Sequence, residues 1–196
     1  MIKNIVFDMG NVLVQFRPRI ALEEFFEKEE DRELINEKLF NAPEWLMGDK
    51  GEITNEQRYE RISPRIPEEL REAFKRCVDG WDMCLAPVPG AKEFCQEMKE
   101  KGYKIYVLSN ACNRFHHFFP RFFEEDFFQG IMVSSDVKMI KPDRAIYQYL
   151  CKSYGLVPEE CLFIDDRREN VEGALSIGMK GVIFQNNWDE VRRILK

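Results

Sequence analysis

The chain opens with Ile5-Val6-Phe7-Asp8-Met9-Gly10-Asn11-Val12-Leu13, and no other stretch limits its fold as tightly. A short β-branched and aromatic run reads as a fully buried strand, and it ends on a carboxylate followed at once by a glycine turn. Asp8 therefore sits at a strand's C-terminal end. In an open parallel sheet with helices on both faces, ligands bind in the crevice outside those ends, so Asp8 is a candidate nucleophile or metal ligand. Taken alone, an acid capping a βα turn is the plainer reading. The residues at the ends of the later strands decide against it.

From Arg17 to about Cys84 the pattern predicts no strand, only amphipathic pieces. Ile20, Leu22, Phe25 and Phe26 form one, Leu34, Ile35 and Leu39 the next, and Trp45 to Met47 a third. Thr54-Asn55-Glu56-Gln57 reads as a capping box, and Pro67-Glu68-Glu69 as a first helical turn. After Ala86-Pro87-Val88-Pro89-Gly90 the rhythm changes. Strands are predicted at Lys104–Leu108, Ile131–Val133, Leu162–Ile164 and Val182–Phe184. Helices are predicted at about Ala91–Glu100, after Pro142, at Glu169–Ile177 and at the end. Five strands separated by helices predict an α/β fold, a doubly wound parallel five-stranded Rossmann-like sheet. Residues 1–16 and 85–196 would form that core domain, and 17–84 a helical insertion after the first strand.

A chain of 196 residues can bury roughly 70% of its unfolded surface, enough for a sizeable core. Its net charge of −6 argues against nucleic acid as the main partner, so any phosphate must be met by a few local cations, a metal or backbone amides. No run approaches the length of a membrane span, and Asp8 interrupts what would have to be a signal peptide's apolar region, which predicts a cytoplasmic protein with no membrane partner. The six cysteines show no C-x-x-C, and Cys95 and Cys161 fall among residues read as buried. Unpaired core thiols in a reducing compartment are expected.

Each later strand ends on a chemically useful group. The second gives Ser109 and Asn110, whose side chains and backbone N–H groups can donate to an oxyanion. Lys141-Pro142 follows the third, a cation just before a helix whose first turn Pro142 would occupy. The fourth ends on Asp165-Asp166, of which at least one is expected to face the crevice as an oxygen ligand for a cation such as Mg²⁺. Singly these read as a turn, a solvated lysine and a helix cap. Accident rarely puts them at successive strand ends in this order.

The order resembles the haloacid dehalogenase superfamily over nearly the whole chain. Phe7-Asp8-Met9-Gly10-Asn11-Val12-Leu13 matches its first motif, Leu108-Ser109-Asn110 its second, Lys141-Pro142-Asp143 its third, and Asp165-Asp166 with Asn170 its fourth. The Asp-x-Gly-Asn-Val form and Gly51-Glu52-Ile53-Thr54 look most like the branch that contains bacterial glucose-1-phosphate phosphatase and the N-terminal phosphatase domain of soluble epoxide hydrolase. The resemblance implies that the insertion is a cap closing over the site. It also implies a phosphatase for a small phosphorylated metabolite, working through an aspartyl phosphate on Asp8. Mg²⁺ would be held by Asp8, the Gly10 carbonyl and Asp166, the last preferred over Asp165 by alignment. Lys141, Ser109, Asn110 and the amides after Asp8, at Met9 and Gly10, would hold the phosphoryl oxygens. Asn170 would orient the metal's water shell.

One departure stands out: most phosphatases resembling this chain carry an acid two residues after the nucleophile, and here that residue is Gly10. Loss of a general acid/base commonly costs about 10²–10⁴ in rate. A hemiacetal hydroxyl leaves more readily than an ordinary alcohol, which makes a sugar 1-phosphate the favoured substrate. The alternatives are a catalytically weak phosphate-binding scaffold or regulator and, less favoured, a metal-free haloacid dehalogenase.

Phe115 to Phe128 holds seven phenylalanines together with His116 and His117. Packing on the sheet is the favoured reading, ahead of a self-association surface that would make a homodimer and of a phosphate-contacting histidine. Trp45 and Trp81 are read as core of the helical block or as walls of the site's entrance. Arg167, Arg168 and Glu52 are weaker candidates for substrate contact.

Overall fold

The computed structural model describes residues 1–124 and 126–195. Five parallel strands form the central sheet: β1 (Asn4–Phe7), β4 (Lys104–Ser109), β5 (Gly130–Val133), β6 (Cys161–Asp165) and β7 (Lys180–Ile183), in the spatial order β5-β4-β1-β6-β7. β1 lies in the middle because the chain first builds outward through β4 to β5 and then returns to add β6 and β7 on its other side. Phe7 is in register with Val107 on one flank and with Ile164 on the other. Asp8, just after β1, and Ser109 and Asp165, the last residues of β4 and β6, are thereby delivered to one edge, at the point where the winding reverses.

The period of two in each strand sorts the core into two layers. Ile5, Phe7, Ile105, Val107, Leu162 and Ile164 face one way, joined by Phe94 and Trp188. Those two residues come from α6 (Ala91–Glu100) and α11 (Trp188–Ile194), and their rings stack at 4.5 Å. Val6, Tyr106, Leu108 and Phe163 face the other way, against Ile146, Tyr147 and Leu150 of α9 (Arg144–Tyr154). Each fully buried side chain of this kind contributes about 1.5–3 kcal/mol. Helix α10 (Arg168–Leu175) packs closely on α9 because Gly173 has no side chain: an added Cβ would lie 2.8 Å from the Tyr147 ring and 2.6 Å from the Pro142 carbonyl oxygen just before α9.

Between β1 and β4 the chain runs through α1 (Pro18–Phe25), α2 (Glu29–Ile35) with a wide helical turn at Asn36–Phe40, α3 (Pro43–Asp49), α4 (Asn55–Ile62) and α5 (Arg71–Gly80). Thr54 and Gln57 form the expected capping box at the start of α4, with both reciprocal hydrogen bonds present. The pattern gave no sign of the small antiparallel ladder that brackets these helices. β2 (Val14–Phe16) pairs with β3 (Leu85–Pro87), Phe16 opposite Leu85, so the segments entering and leaving the helices are tied to each other. Three-residue strands are too short to show a period, which is why the sequence conceals them.

The short helices α7 (Phe115–Phe118) and α8 (Ser134–Val137) flank β5. Six of the seven phenylalanines between 115 and 128 are buried, so this segment packs on the sheet. All six cysteines are free and buried. Among the described residues no helix is long and apolar enough to cross a membrane.

Candidate active site

Asp8 follows β1, and its backbone amide donates to the Ile164 carbonyl at 2.8 Å, which fixes it beside the end of β6. Lys141 Nζ donates to Asp8 Oδ1 and to Asp165 Oδ2, each at 2.7 Å, and the lysine side chain is fully buried. Burial pulls the Lys141 ammonium down, but the Asp8 and Asp165 carboxylates together hold it above its ordinary value. Burial pushes the Asp8 carboxyl up to about 7; Lys141 opposes this, and the charges on Asp165 and Asp166 add to it. Asp8, Asp165 and Asp166 place carboxylate oxygens within 4.8 Å of one another. Three carboxylates against one ammonium leave a concentrated negative charge and oxygen-only donors, the chemistry that suits a hard divalent cation.

The two adjacent acids have different surroundings. Asp165 ends β6 with no exposed surface, and both its oxygens are engaged. Oδ1 accepts from the Arg167 amide at 2.9 Å, Oδ2 accepts from Lys141, and Asn170 Nδ2 donates to both at 3.0 Å. Asp166 is half-buried, accepts from Asn11 Nδ2 at 3.1 Å and lines the cavity above Asp8. Asn11 stands at φ 55°, a left-handed conformation that asparagine tolerates better than most residues, and its Oδ1 accepts from the Phe16 amide at 3.1 Å.

That cavity encloses about 400 Å³ and is lined by Asp8, Met9, Gly10, Ser109, Asn110, Lys141 and Asp166 on the sheet side. Its outer wall is aromatic and aliphatic, with Phe16, Phe40, Trp45, Leu46, Trp81 and Phe118. The Trp45 and Trp81 rings meet at 4.9 Å and Phe40 packs on Trp45 at 5.0 Å, so the tryptophans are at once core of the helical block and wall of the site.

A family model described as a haloacid dehalogenase-like hydrolase matches residues 2–178. The chain belongs to the haloacid dehalogenase-like hydrolases. Within this family it is similar to the sesquiterpene phosphatase astK of Aspergillus oryzae, 27% identical over 92% of this chain and 88% of the relative. It is also similar to a phosphoglycolate phosphatase of Mannheimia succiniciproducens, 28% identical over 92% of this chain and 84% of the relative. A wild-type haloacid dehalogenase family enzyme of Bacteroides thetaiotaomicron, solved in complex with magnesium and inorganic phosphate, superposes with a TM-score of 0.77 at 25% identity, covering 97% of this chain and 99% of that one.

The geometry of this hydrolase brings Asp8, Met9, Gly10, Ser109, Asn110, Lys141 and Asp166 to one cavity. Two of the expected amide side chains already have partners within the protein. Asn110 Nδ2 donates to the Lys141 carbonyl at 3.0 Å and its Oδ1 accepts from the Lys141 amide at 2.9 Å, so the side chain holds the lysine's backbone. Asn170 commits its amide nitrogen to Asp165, where it steadies the acid that pairs with Lys141. Pro142 precedes α9, which begins at Arg144. Arg167 lines the cavity, whereas Arg168 and the exposed Glu52 are not among its lining residues. His116 is exposed and pairs with Asp136 at 2.8 Å, away from the cavity.

Sequence reasoning passed over Asn11, Ser134 and Asp49. Ser134 Oγ accepts from the Ala111 amide at 2.9 Å and donates to the Asp49 carbonyl at 2.5 Å, joining the loop after β4 to the end of α3. Asp49 lines the cavity from the insertion. A lone carboxylate between Gly48 and Gly51 was the visible hint, too weak to weigh without the fold.

Proposed function

We propose that this hydrolase is a Mg²⁺-dependent phosphomonoesterase that works through an aspartyl phosphate on Asp8. The observation that carries the reading is the convergence of Asp8, Lys141 and Asp166 on the floor of one cavity, with Asp165 locking the lysine from behind. Asp8, Asp166 and the Gly10 carbonyl would hold the ion, which supplies positive charge to the phosphoryl oxygens and to the nucleophile. Lys141 favours the ionised form of Asp8 against its burial and aims it, and Ser109 with the amides at Met9 and Gly10 binds the remaining oxygens. The Asp8 carboxylate forms the bond to phosphorus as the ester bond to the leaving oxygen breaks. Water then cleaves the acyl phosphate and frees Asp8.

In this reading residues 1–16 and 85–196 are the catalytic core and residues 17–84 the cap that shapes the substrate's organic half. The wall that the cap offers, with Phe40, Trp45 and Leu46, suits an apolar organic monophosphate better than a sugar, whose hydroxyls ask for hydrogen-bonding partners. Sugar 1-phosphates are the second reading, because Gly10 supplies no acid and their leaving group needs little help. The resemblance of the chain to a sesquiterpene phosphatase supports the first. The test is a panel of aryl, alkyl and sugar 1- and 6-phosphates assayed with Mg²⁺ and with EDTA. Turnover of the apolar esters that vanishes with EDTA and in Asp8→Asn is expected; full activity of Asp8→Asn would refute the nucleophile.

A further inference from the structure

We propose that Asp49, on the helical insertion, protonates the departing oxygen and then activates water, the work that Gly10 has no side chain to do. The inference rests on the phosphatase reading above and deepens it. Among the described residues three carboxylates line the cavity: Asp8, Asp49 and Asp166. Asp8 and Asp166 belong to the acid cluster with Asp165, which leaves Asp49 as the one without a place in it. It also approaches from the cap side, where the organic half of a substrate attached through Asp8 must lie. The remaining proton carriers in the wall are poorly suited. Lys141 is held by two carboxylates, and burial pushes the Cys112 thiol up.

Two contacts hold Asp49 over the site. The Ser134 hydroxyl donates to its carbonyl at 2.5 Å. Two residues on, Gly51 at φ 67° lies so close to the Ser135 carbonyl that an added Cβ would stand 2.4 Å from its oxygen. Ser134 and Ser135 begin α8, the segment that leads to Lys141, so one stretch of chain positions both the lysine and the end of α3.

The surroundings of Asp49 also suit proton transfer. Burial pushes its carboxyl up to about 7 and the Asp8 charge adds to this, while Arg58 and the Cys112 backbone oppose it. An acid/base group works best with its pKa near the working pH. In the first step the protonated Asp49 carboxyl gives its proton to the leaving oxygen as the P–O ester bond breaks and the Asp8–P bond forms. In the second, the Asp49 carboxylate takes a proton from water as the water oxygen bonds to phosphorus and the Asp8–P bond breaks. Both carboxyls end as they began.

The test compares kcat/KM, with Mg²⁺, for 2-phenylethyl phosphate, whose alkoxide needs a proton, and 4-nitrophenyl phosphate, whose phenolate does not. Asp49→Asn is expected to lose about 10²-fold or more on the first and less than about tenfold on the second. It should also release a stoichiometric burst of nitrophenol before slow turnover, since the water step is left without its base. Gly10→Asp has room, the nearest atom to an added Cβ being Asp8 Oδ2 at 3.9 Å. Added to Asp49→Asn, it should restore phenylethyl phosphate hydrolysis. Equal losses on both esters without a burst would overturn the proposal and leave Asp49 a positioning residue. Inactivity of the wild type on every phosphate ester, or an active Asp8→Asn, removes the phosphatase reading itself.

Discussion

Lys141 Nζ lies 2.7 Å from Asp165 Oδ2, and neither side chain has any exposed surface. Removing one member of a buried pair leaves an uncompensated charge, a loss of about 3–5 kcal/mol. In Asp165→Ala, Asn170 Nδ2 and the Arg167 amide would also lose their acceptor. Lys141 keeps its 2.7 Å contact with Asp8, and that partner together with the relief of repulsion between the two acids offsets part of this. The expected net is a melting temperature about 10 °C lower, at about 2–4 °C per kcal/mol for a chain of this size. Asp79→Ala, which breaks the half-exposed pair with Lys75, should change stability by no more than about 1 kcal/mol. Thermal unfolding followed by circular dichroism measures both, and equal small shifts would contradict the buried-pair argument.

How far this centre could be read from the sequence depended on what kind of signal each residue leaves. Asp8, Ser109, Lys141 and the Asp165-Asp166 pair sit next to strands, and strand ends announce themselves through short apolar runs that stop on a polar residue. The winding order then brings them together without further information. Asp49 and Ser134 meet only because a helical insertion docks on α8, directly after β5, and docking of amphipathic helices leaves no local mark. Asn110 and Asn170 line the cavity, but the protein groups that their amides bond left no mark in the sequence, since sequence position cannot tell which way an amide side chain turns. The aromatic wall was legible as apolar spacing but ambiguous between core and cavity, and Trp45 and Trp81 serve as both.

Metal binding should separate the two adjacent acids. Both Asp165 oxygens are engaged by protein donors, whereas Asp166 takes one asparagine hydrogen bond and faces the cavity. A ligand that binds only the folded state stabilises it by about 2.7 kcal/mol at a hundred times its Kd. Mg²⁺ is therefore expected to raise the wild-type melting temperature by several degrees, reversibly on adding EDTA. Asp166→Asn should abolish most of that shift. A full Mg²⁺ shift in Asp166→Asn would move the metal site away from this acid.

The apolar wall can be probed at its exposed end without opening a hole in the core. Leu46 is 49% exposed yet lines the cavity. Substrate that covers it removes apolar surface from water at about 25 cal/mol per Å², so Leu46→Asn should lower kcat/KM for 2-phenylethyl phosphate by about five- to tenfold through KM. A sugar 1-phosphate, if turned over at all, should change less than twofold. The opposite pattern would favour a sugar in that half of the site.

Asp49 should also leave a signature in stability that is independent of turnover. Burial pushes its carboxyl up to about 7 in the folded chain, well above the ordinary carboxylate range that it keeps when unfolded. Below that range both states hold the proton and the burial carries no penalty. Between the two, the unfolded chain ionises first, so the folded state loses relative stability as pH rises, and the loss is complete above about 7. A rise of that size is worth at most about 4 kcal/mol, and the residue's partial exposure brings the expectation to about 1–3 kcal/mol. Asp49→Asn removes this titration while other groups titrate alike in both proteins. Its advantage over wild type, read from urea unfolding with EDTA present, should therefore be near zero at pH 4, grow through pH 5–7 and level off above. A difference that does not vary with pH would mean that Asp49 ionises as freely as a surface carboxylate, which would also weaken its case as the proton donor.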